Sequence, residues 1–273
     1  MSTADPYGNT DRLDETSLEA IVARLEARGK HPFFQRMLRE YLDVMAIGAA
    51  GSVLDLGCGT GVAARAIARR PDFAGTVLGI DLSAFLVDTA NRLAGAEQLA
   101  DRVSFRVGDT SSLDLEDGRF DAVVAHTLLS HVRDPLATLR EVRRALKPAG
   151  TVGIFDGDYA SMTFGHEDPE KGRAHDEALV AAMVTQPRVM RQMPRMLRAA
   201  GLELVRSFPY VLAEVGQADF WAPAITSFRT LLPKAGAMSE ADAGAWVDDL
   251  EKASADGVFF GASNFYSYVA RRP

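Results

Sequence analysis

The stretch VLDLGCGTG at residues 53–61 constrains the fold of this chain more than any other feature. Residues 52–56 are mostly apolar and end on an apolar residue, which is typical of a short buried strand, and Gly57, Gly59 and Gly61 then alternate through a tight turn. Glycine is favoured where the backbone takes a positive φ or lies against a ligand with no Cβ between them. An alanine-rich helical run follows the turn. A strand, a glycine-rich turn and a helix in this order predict a nucleotide-like ligand at the edge of a parallel sheet.

Two aspartates accompany the turn. Asp55 lies just before Gly57, near the carboxyl end of the predicted strand, and Asp81 ends a second strand-like run at residues 75–80. A carboxylate at the offset of Asp81 is positioned to accept hydrogen bonds from both hydroxyls of a ribose. The two carboxylates and the turn indicate a ligand with a ribose and a cationic or amine-bearing tail, and with no need for a pyrophosphate.

A nicotinamide dinucleotide is the rival ligand for such a turn. Its fingerprint requires Gly-x-Gly-x-x-Gly or Ala. Counted from Gly57, the sixth position is Val62, which is too bulky for the close approach of helix and strand that glycine permits. A charged Asp55 would also repel a pyrophosphate. These two observations favour a ligand other than a dinucleotide.

Residues 53–61 resemble motif I of the class I S-adenosylmethionine-dependent methyltransferases, and GIDLS at residues 79–83 resembles the segment that follows it. The resemblance implies that the glycine turn, including Cys58, holds the methionine part of S-adenosyl-L-methionine. It further implies that Asp55 holds the amino end, directly or through water, and that Asp81, followed by Leu82, clamps the ribose.

A third acid follows a third predicted strand, residues 102–107. The resemblance implies that Asp109 accepts a hydrogen bond from the adenine amino group, with Thr110 beside it in the cofactor site. Asp109 alone is equally typical of an Asx turn after Gly108. Three acids at three successive strand ends favour the cofactor site.

Three later stretches extend the resemblance: residues 120–123, 131–135 and 146–150 resemble later motifs of the ubiquinone/menaquinone-biosynthesis-like methyltransferases. The resemblance covers about residues 50–160. It implies an α/β fold, a Rossmann-like, doubly wound seven-stranded sheet with the last strand antiparallel, and seven strand-like runs are present in the sequence.

The remaining parts of the chain are expected to flank this sheet. We expect an N-terminal arm and cover helices in residues 1–48, with a loose arm at residues 1–15 and a capping box from Thr16 to Glu19. Residues 49–273 are expected to form a methyltransferase domain with a helical insertion at about 213–256. Its aromatic and aliphatic residues predict either a packed core or a lid over an apolar acceptor.

Two histidines just beyond the fourth predicted strand are candidates for chemistry. His131 is the better candidate for a general base, because members of the resembled family often carry a pocket-facing histidine there; ordinary packing near a helix start is the alternative. His126 is expected to contribute mainly its backbone to the cofactor. Asp156 and Tyr159, after the fifth strand, are candidates to orient an acceptor or act as base, or else turn and packing residues. The His126–His131 pair has no convincing third ligand, so no metal site is predicted.

Composition limits the function classes. The net charge is −7 and positive and negative residues are mixed, which argues against a nucleic-acid partner. The single cysteine, Cys58, excludes an intrachain disulfide and fits a reducing compartment. No apolar run approaches a membrane span or a secretory signal, so we expect a soluble cytoplasmic protein.

The expected function is methyl transfer from S-adenosyl-L-methionine to carbon or oxygen of a small-molecule acceptor, quinone-like or another secondary metabolite, and partly apolar. A protein of this fold that binds the cofactor without transferring methyl, as a non-redox catalyst or regulatory partner, is the alternative. The oligomeric state stays open.

Overall fold

The computed structural model describes residues 5–273. Helices cover both faces of one seven-stranded sheet. The strands in chain order are β1 (Ser52–Leu56), β2 (Thr76–Asp81), β3 (Val103–Val107), β4 (Phe120–His126), β5 (Leu146–Phe164), β6 (Glu203–Gly216) and β7 (Phe259–Arg271). The α-helices in the described residues are α1 (Glu15–Lys30), α2 (Pro32–Val44), α3 (Val62–Ala68), α4 (Ala84–Ala96), α5 (Pro135–Ala145), α6 (Pro169–Met183), α7 (Val189–Ala199), α8 (Ala222–Lys234) and α9 (Glu240–Ala255).

The sheet has the strand order β3-β2-β1-β4-β5-β7-β6. Strands β1 to β5 pair in parallel, while β7 runs antiparallel to both β5 and β6. The predicted seven-stranded Rossmann-like sheet with an antiparallel last strand is therefore confirmed. The strand order reverses between β1 and β4, which places a crevice at the carboxyl ends of these strands, where ligands bind in open α/β sheets.

The core lies on both faces of the sheet. Fully buried Met37 and Tyr41 of α2 pack on one face, and Leu139 of α5 and Met193 of α7 belong to the cluster on the other. The apolar spacing of α2 supplies the stripe that a sheet-covering helix needs. Both faces of the central strands are thus closed to solvent, and polar side chains at their carboxyl ends are left facing the crevice.

The helical insertion consists of α8 and α9 between β6 and β7. Phe228 and Trp246 stack with ring centroids 5.6 Å apart, and both lie edge-on to Phe164 of β5. Because these rings are buried, the aromatic pattern of the insertion forms a core, the first of the two structures predicted for it.

The N-terminal region differs from the prediction. Residues 1–4 of the expected loose arm lie outside the described residues, but the expectation is wrong for residues 5–14, which include a 3-10 helix (Tyr7–Arg12) and a buried Asp5. Helix α1 begins at Glu15, and its N-cap is Asp14, which accepts from the Ser17 amide at 2.8 Å, so the predicted Thr16 cap is also wrong. Among residues 5–273 no helix has both the length and the apolarity that a membrane crossing demands.

Candidate functional site

The glycine turn and Asp81 are joined by backbone hydrogen bonds. Gly57, Gly59 and Gly61 have φ of +62°, +53° and +79°, so all three occupy the left-handed region that glycine favours. The Gly59 amide donates to Oδ2 of Asp81 at 2.8 Å, and the Ser83 amide donates to Oδ1 at 3.0 Å. Burial raises the pKa of Asp81 and outweighs these hydrogen bonds, which lower it. The carboxylate at the end of β2 therefore supports the turn that follows β1.

Asp55 is almost completely buried, with 1% of its surface exposed. It accepts one hydrogen bond, from the Ala64 amide in α3 at 3.1 Å. Burial raises its pKa to about 7, the Ala64 hydrogen bond lowers it, and the charge of Asp81 adds to the rise. Within residues 5–273 neither Asp55 nor Asp81 has a cationic side-chain partner. Buried carboxylates are normally paired, so this pair favours a cationic ligand.

A cavity lies over the turn and opens to solvent. The predicted site residues that line this inner cavity are Asp55, Gly57, Cys58, Gly59, Asp81, His126 and His131. Burial raises the pKa of the Cys58 thiol, and the two nearby aspartates reinforce the shift, so this cysteine is held as an unreactive thiol.

Four predicted cofactor residues do not line this inner cavity. Gly61 precedes the first turn of α3. Leu82 is 42% exposed, after β2, and Thr110 is buried after β3. Asp109 is exposed, and its Oδ1 accepts from both the amide and the hydroxyl of Ser111, which is the Asx turn weighed as its alternative. An adenine contact by Asp109 stays a prediction.

His126 contributes its side chain as well as its backbone to the cavity. Its Nδ1 lies 3.0 Å from the Tyr41 hydroxyl, and its ring stacks on Phe155. Burial lowers the pKa of His126 to about 3, and the charge of Arg28 lowers it further. His126 is therefore a neutral imidazole that cannot itself compensate the charge of Asp55.

His131 is held by the N-terminal segment, which we define as residues 5–14. Its Nδ1 lies 3.0 Å from both carboxylate oxygens of Asp5. Tyr7 of the same segment packs beside the imidazole with ring centroids 5.2 Å apart, and also lines the cavity. The segment thus forms part of the cavity wall and contacts its candidate base.

The two predicted substrate residues occupy different positions. Asp156 is fully buried and does not line the cavity; it accepts from the amide and hydroxyl of Ser130 and from the Gly157 amide. Burial raises its pKa against these hydrogen bonds. Asp156 therefore supports the loop that carries His131, and its position off the cavity lining keeps it from an acceptor bound there. Tyr159 does not line the cavity either, but its buried ring lies edge-on to the cavity residue His131, with 6.2 Å between the ring centroids.

Arg28, from α1, is a cavity residue that sequence reasoning missed. Its Nη2 donates to Oγ1 of Thr127 at 2.7 Å, and its guanidinium lies over the ring of Phe34. Thr127 has a φ of +58°, a strained backbone for a β-branched residue. Such strain at a cavity floor is typical of functional sites, and no local sequence signal marked either residue.

A second cavity, which we call the outer groove, lies on the other side of Tyr7. Tyr7 lines both cavities. Apolar Ile21, Met183 and Leu231 line the groove, and the cations on its wall are Arg12, Arg24, Arg133 and Lys234. The N-terminal segment therefore separates the groove from the inner cavity. Among the described residues there is no group of three His, Cys, Asp or Glu side chains placed to hold a metal ion.

Comparison with known proteins agrees with this geometry. Residues 53–150 match a family model described as a methyltransferase domain. An uncharacterized 37.1 kDa protein in transposon TN4556 of Streptomyces fradiae is 31% identical over 231 residues, which cover 84% of this chain and 65% of that protein. Sterol 24-C-methyltransferase of Aspergillus fumigatus is 33% identical over 145 residues, which cover 52% of this chain and 38% of that protein.

Among solved structures, the (4+2)-cyclase SpnF is 26% identical with a TM-score of 0.57, covering 90% of this chain and 85% of that one. The fold is the Rossmann-like fold of the methyltransferases. The chain spans less than two thirds of the length of the curated relatives described above.

Proposed function

We propose that this chain is an S-adenosyl-L-methionine-dependent methyltransferase that acts on carbon or oxygen of a small-molecule acceptor. One observation carries the proposal: Asp55 and Asp81 are buried at the glycine turn without a cationic partner in residues 5–273. A ligand with a sulfonium and an ammonium group compensates such carboxylates, and its ribose hydroxyls suit Asp81. The match of residues 53–150 to a methyltransferase domain supports the same ligand.

The cofactor is S-adenosyl-L-methionine, and the chain offers a group for each of its polar parts. Asp55 faces the cationic end, and Asp81 has lone pairs beyond those used by the amides of Gly59 and Ser83. Arg28 is the cation on the inner cavity wall suited to the carboxylate of the methionine part, because guanidinium forms forked hydrogen bonds with carboxylates. Leu82, Asp109 and Thr110 follow β2 and β3 and are assigned to the adenosine end.

When bound, this cofactor supplies an activated methyl group on a sulfonium sulfur. The protein aligns the acceptor and excludes water, and such positioning supplies roughly 7–11 kcal/mol of a bimolecular barrier. His131 removes a proton from an acceptor hydroxyl or acidic carbon, which contributes about 10²–10⁴-fold. Tyr159 borders the same place and helps to orient the acceptor.

The acceptor is a partly apolar small molecule, such as a quinone-like compound or another secondary metabolite. The outer groove supports this, since apolar side chains line it next to Tyr7. The Aspergillus fumigatus relative is named for methylation of a sterol carbon, a partly apolar acceptor. The acidic net charge disfavours RNA as acceptor. A cytoplasmic location remains part of this proposal.

A cofactor-binding protein that transfers no methyl is the second candidate. The structural similarity to SpnF, which is named as a cyclase, favours it specifically. Both candidates use the same cradle, which we define as Asp55, Asp81 and the glycine turn at residues 57–61, so affinity for S-adenosyl-L-methionine does not separate them. Formation of S-adenosylhomocysteine does, because the donor is converted only when a methyl group leaves it.

The test has two stages. Isothermal titration calorimetry of the purified protein with S-adenosyl-L-methionine should show saturable binding. The protein is then incubated with the cofactor and a library of quinones, phenols, sterols and polyketides, and S-adenosylhomocysteine is followed over time. Acceptor-dependent product supports the methyltransferase; binding without product from any acceptor supports the second candidate; absence of binding contradicts both.

A further inference from the structure

We propose that Asp5 is a positioning residue that keeps the proton of neutral His131 on Nδ1. His131 is then ready to act as a base only when the N-terminal segment, which carries Asp5, is in place. The inference rests on the proposed role of His131 as the base. It adds a residue far along the chain from the cofactor motifs, and it links the state of the base to the position of the segment that covers the site.

The hydrogen bonds of Asp5 determine which ring nitrogen of His131 carries the proton. Its Oδ1 accepts from the amides of Tyr7 and Gly8, and its Oδ2 accepts from the amide and hydroxyl of Thr185, all at about 3 Å. Burial would raise the pKa of Asp5, but its hydrogen bonds with His131, the Gly8 amide and Thr185 lower it overall. An ionised carboxylate only accepts hydrogen bonds. The atom that faces it, Nδ1 of His131, must therefore carry a proton.

The proton on Nδ1 leaves Nε2 as the ring nitrogen of His131 that can accept another proton. With the proton of a neutral imidazole on Nδ1, the lone pair is on Nε2. No described residue bonds to Nε2 of His131, and the side chain lines the inner cavity. Nε2 is thus the atom available to take a proton from an acceptor.

The proton balance follows from this arrangement. Nε2 takes the proton of an acceptor O–H or acidic C–H, the freed electron pair forms the bond to the methyl carbon, and the C–S bonding pair stays on sulfur. The resulting imidazolium keeps its Nδ1–H on Asp5, which stabilises the positive charge.

Asp5 belongs to the segment that separates the two cavities. Tyr7 lies between the inner cavity and the outer groove, so a ligand that passes from one to the other must displace the segment. Displacement removes Asp5 from His131 and Thr185 together, since the same carboxylate binds both. His131 is oriented as a base only after the segment returns and the site is closed to water.

Nitrogen-15 NMR of histidine-labelled protein tests the inference without an acceptor. The His131 signals are assigned by their loss in His131→Phe, and spectra are recorded at a pH that leaves the imidazoles neutral. Wild-type His131 should show a protonated Nδ1 and an unprotonated Nε2. In Asp5→Ala the proton should move mainly to Nε2, the usual tautomer of an unconstrained histidine. Thr185→Val is the matched control: it removes a donor to Asp5 but not the carboxylate, and His131 should keep its proton on Nδ1.

Amide exchange tests the link to the segment. The amides of Tyr7 and Gly8 are protected by Asp5, and His131→Phe should accelerate their exchange by about threefold or more because one partner of the carboxylate is lost. A wild-type His131 protonated on Nε2, or a tautomer unchanged in Asp5→Ala, overturns the inference, as does unchanged amide exchange. Failure of wild-type protein to bind S-adenosyl-L-methionine would contradict the proposed function instead, and would leave the tautomer result intact.

Discussion

The backbone amide of Gly59 donates a hydrogen bond of 2.8 Å to Oδ2 of Asp81, which joins the glycine turn after β1 to the carboxyl end of β2. Gly59 and Asp81 are 22 positions apart in sequence, and parallel pairing of β1 with β2 brings them together. The same carboxylate that we assign to the ribose therefore also shapes the turn that we assign to the methionine part.

Binding of S-adenosyl-L-methionine should depend on pH through Asp55. The pKa of Asp55 is raised to about 7 in the free protein, and a cationic ligand favours the ionised form. Binding should therefore release a proton, and affinity should rise by up to about tenfold per pH unit as the pH increases toward 7. Calorimetry in two buffers of different ionisation enthalpy counts the protons. In Asp55→Asn the slope should disappear; an affinity that is flat between about pH 6 and 7 in wild type would contradict the assignment.

Arg28→Lys should weaken binding of S-adenosyl-L-methionine about tenfold, because lysine lacks the forked donors that match a carboxylate. Arg24→Lys, one turn away on α1 and bonded to Ser227, is the matched control and should leave affinity within about twofold. A ligand control sharpens the result: 5′-methylthioadenosine lacks the amino-acid end, so its affinity should be equal in wild type and Arg28→Lys. An equal loss for both ligands would refute the carboxylate assignment.

Gly61→Ala should destabilise the fold by about 2–4 kcal/mol. A Cβ at Gly61 would lie 2.4 Å from Cζ of Phe105, and the φ of +79° is unfavourable for alanine. Gly95→Ala in α4 is the control, because a Cβ there meets nothing within 4 Å, and it should stabilise by about 0.5–1 kcal/mol. Urea unfolding measures both changes. Similar stabilities for the two variants would show that the turn tolerates a side chain.

Local sequence patterns predicted the cradle because its parts are local. The strand, the turn glycines and an acid at each strand end are readable from short stretches, and the sheet follows from their order. The adenine contact of Asp109 stays a prediction, since its side chain is exposed and bonded to Ser111. Asp156 shows the limit of this reasoning, because this strand-end acid is a buried acceptor for the amide and hydroxyl of Ser130 and does not line the cavity.

The positions of Asp5 and Arg28 were not predictable in this way. Asp5 and His131 are 126 residues apart, and a polar N-terminal stretch gives no sign that one of its acids is buried. Arg28, next to Gly29, is typical of a solvated helix end. Both acquire their roles when α1 and the N-terminal segment fold over the crevice, which is a consequence of tertiary packing and not of spacing.

The measurement that tests the central claim most directly is a calorimetric titration of wild type and Asp81→Asn with S-adenosyl-L-methionine. Asparagine keeps the shape of the side chain but loses its charge and one acceptor oxygen, so affinity should fall at least about tenfold. The exposed acid in Asp88→Asn should change affinity by less than about twofold, and circular dichroism should show all three proteins folded. Equal affinity of folded Asp81→Asn and wild type would contradict the assignment of this carboxylate to the ribose, and with it the cradle described here.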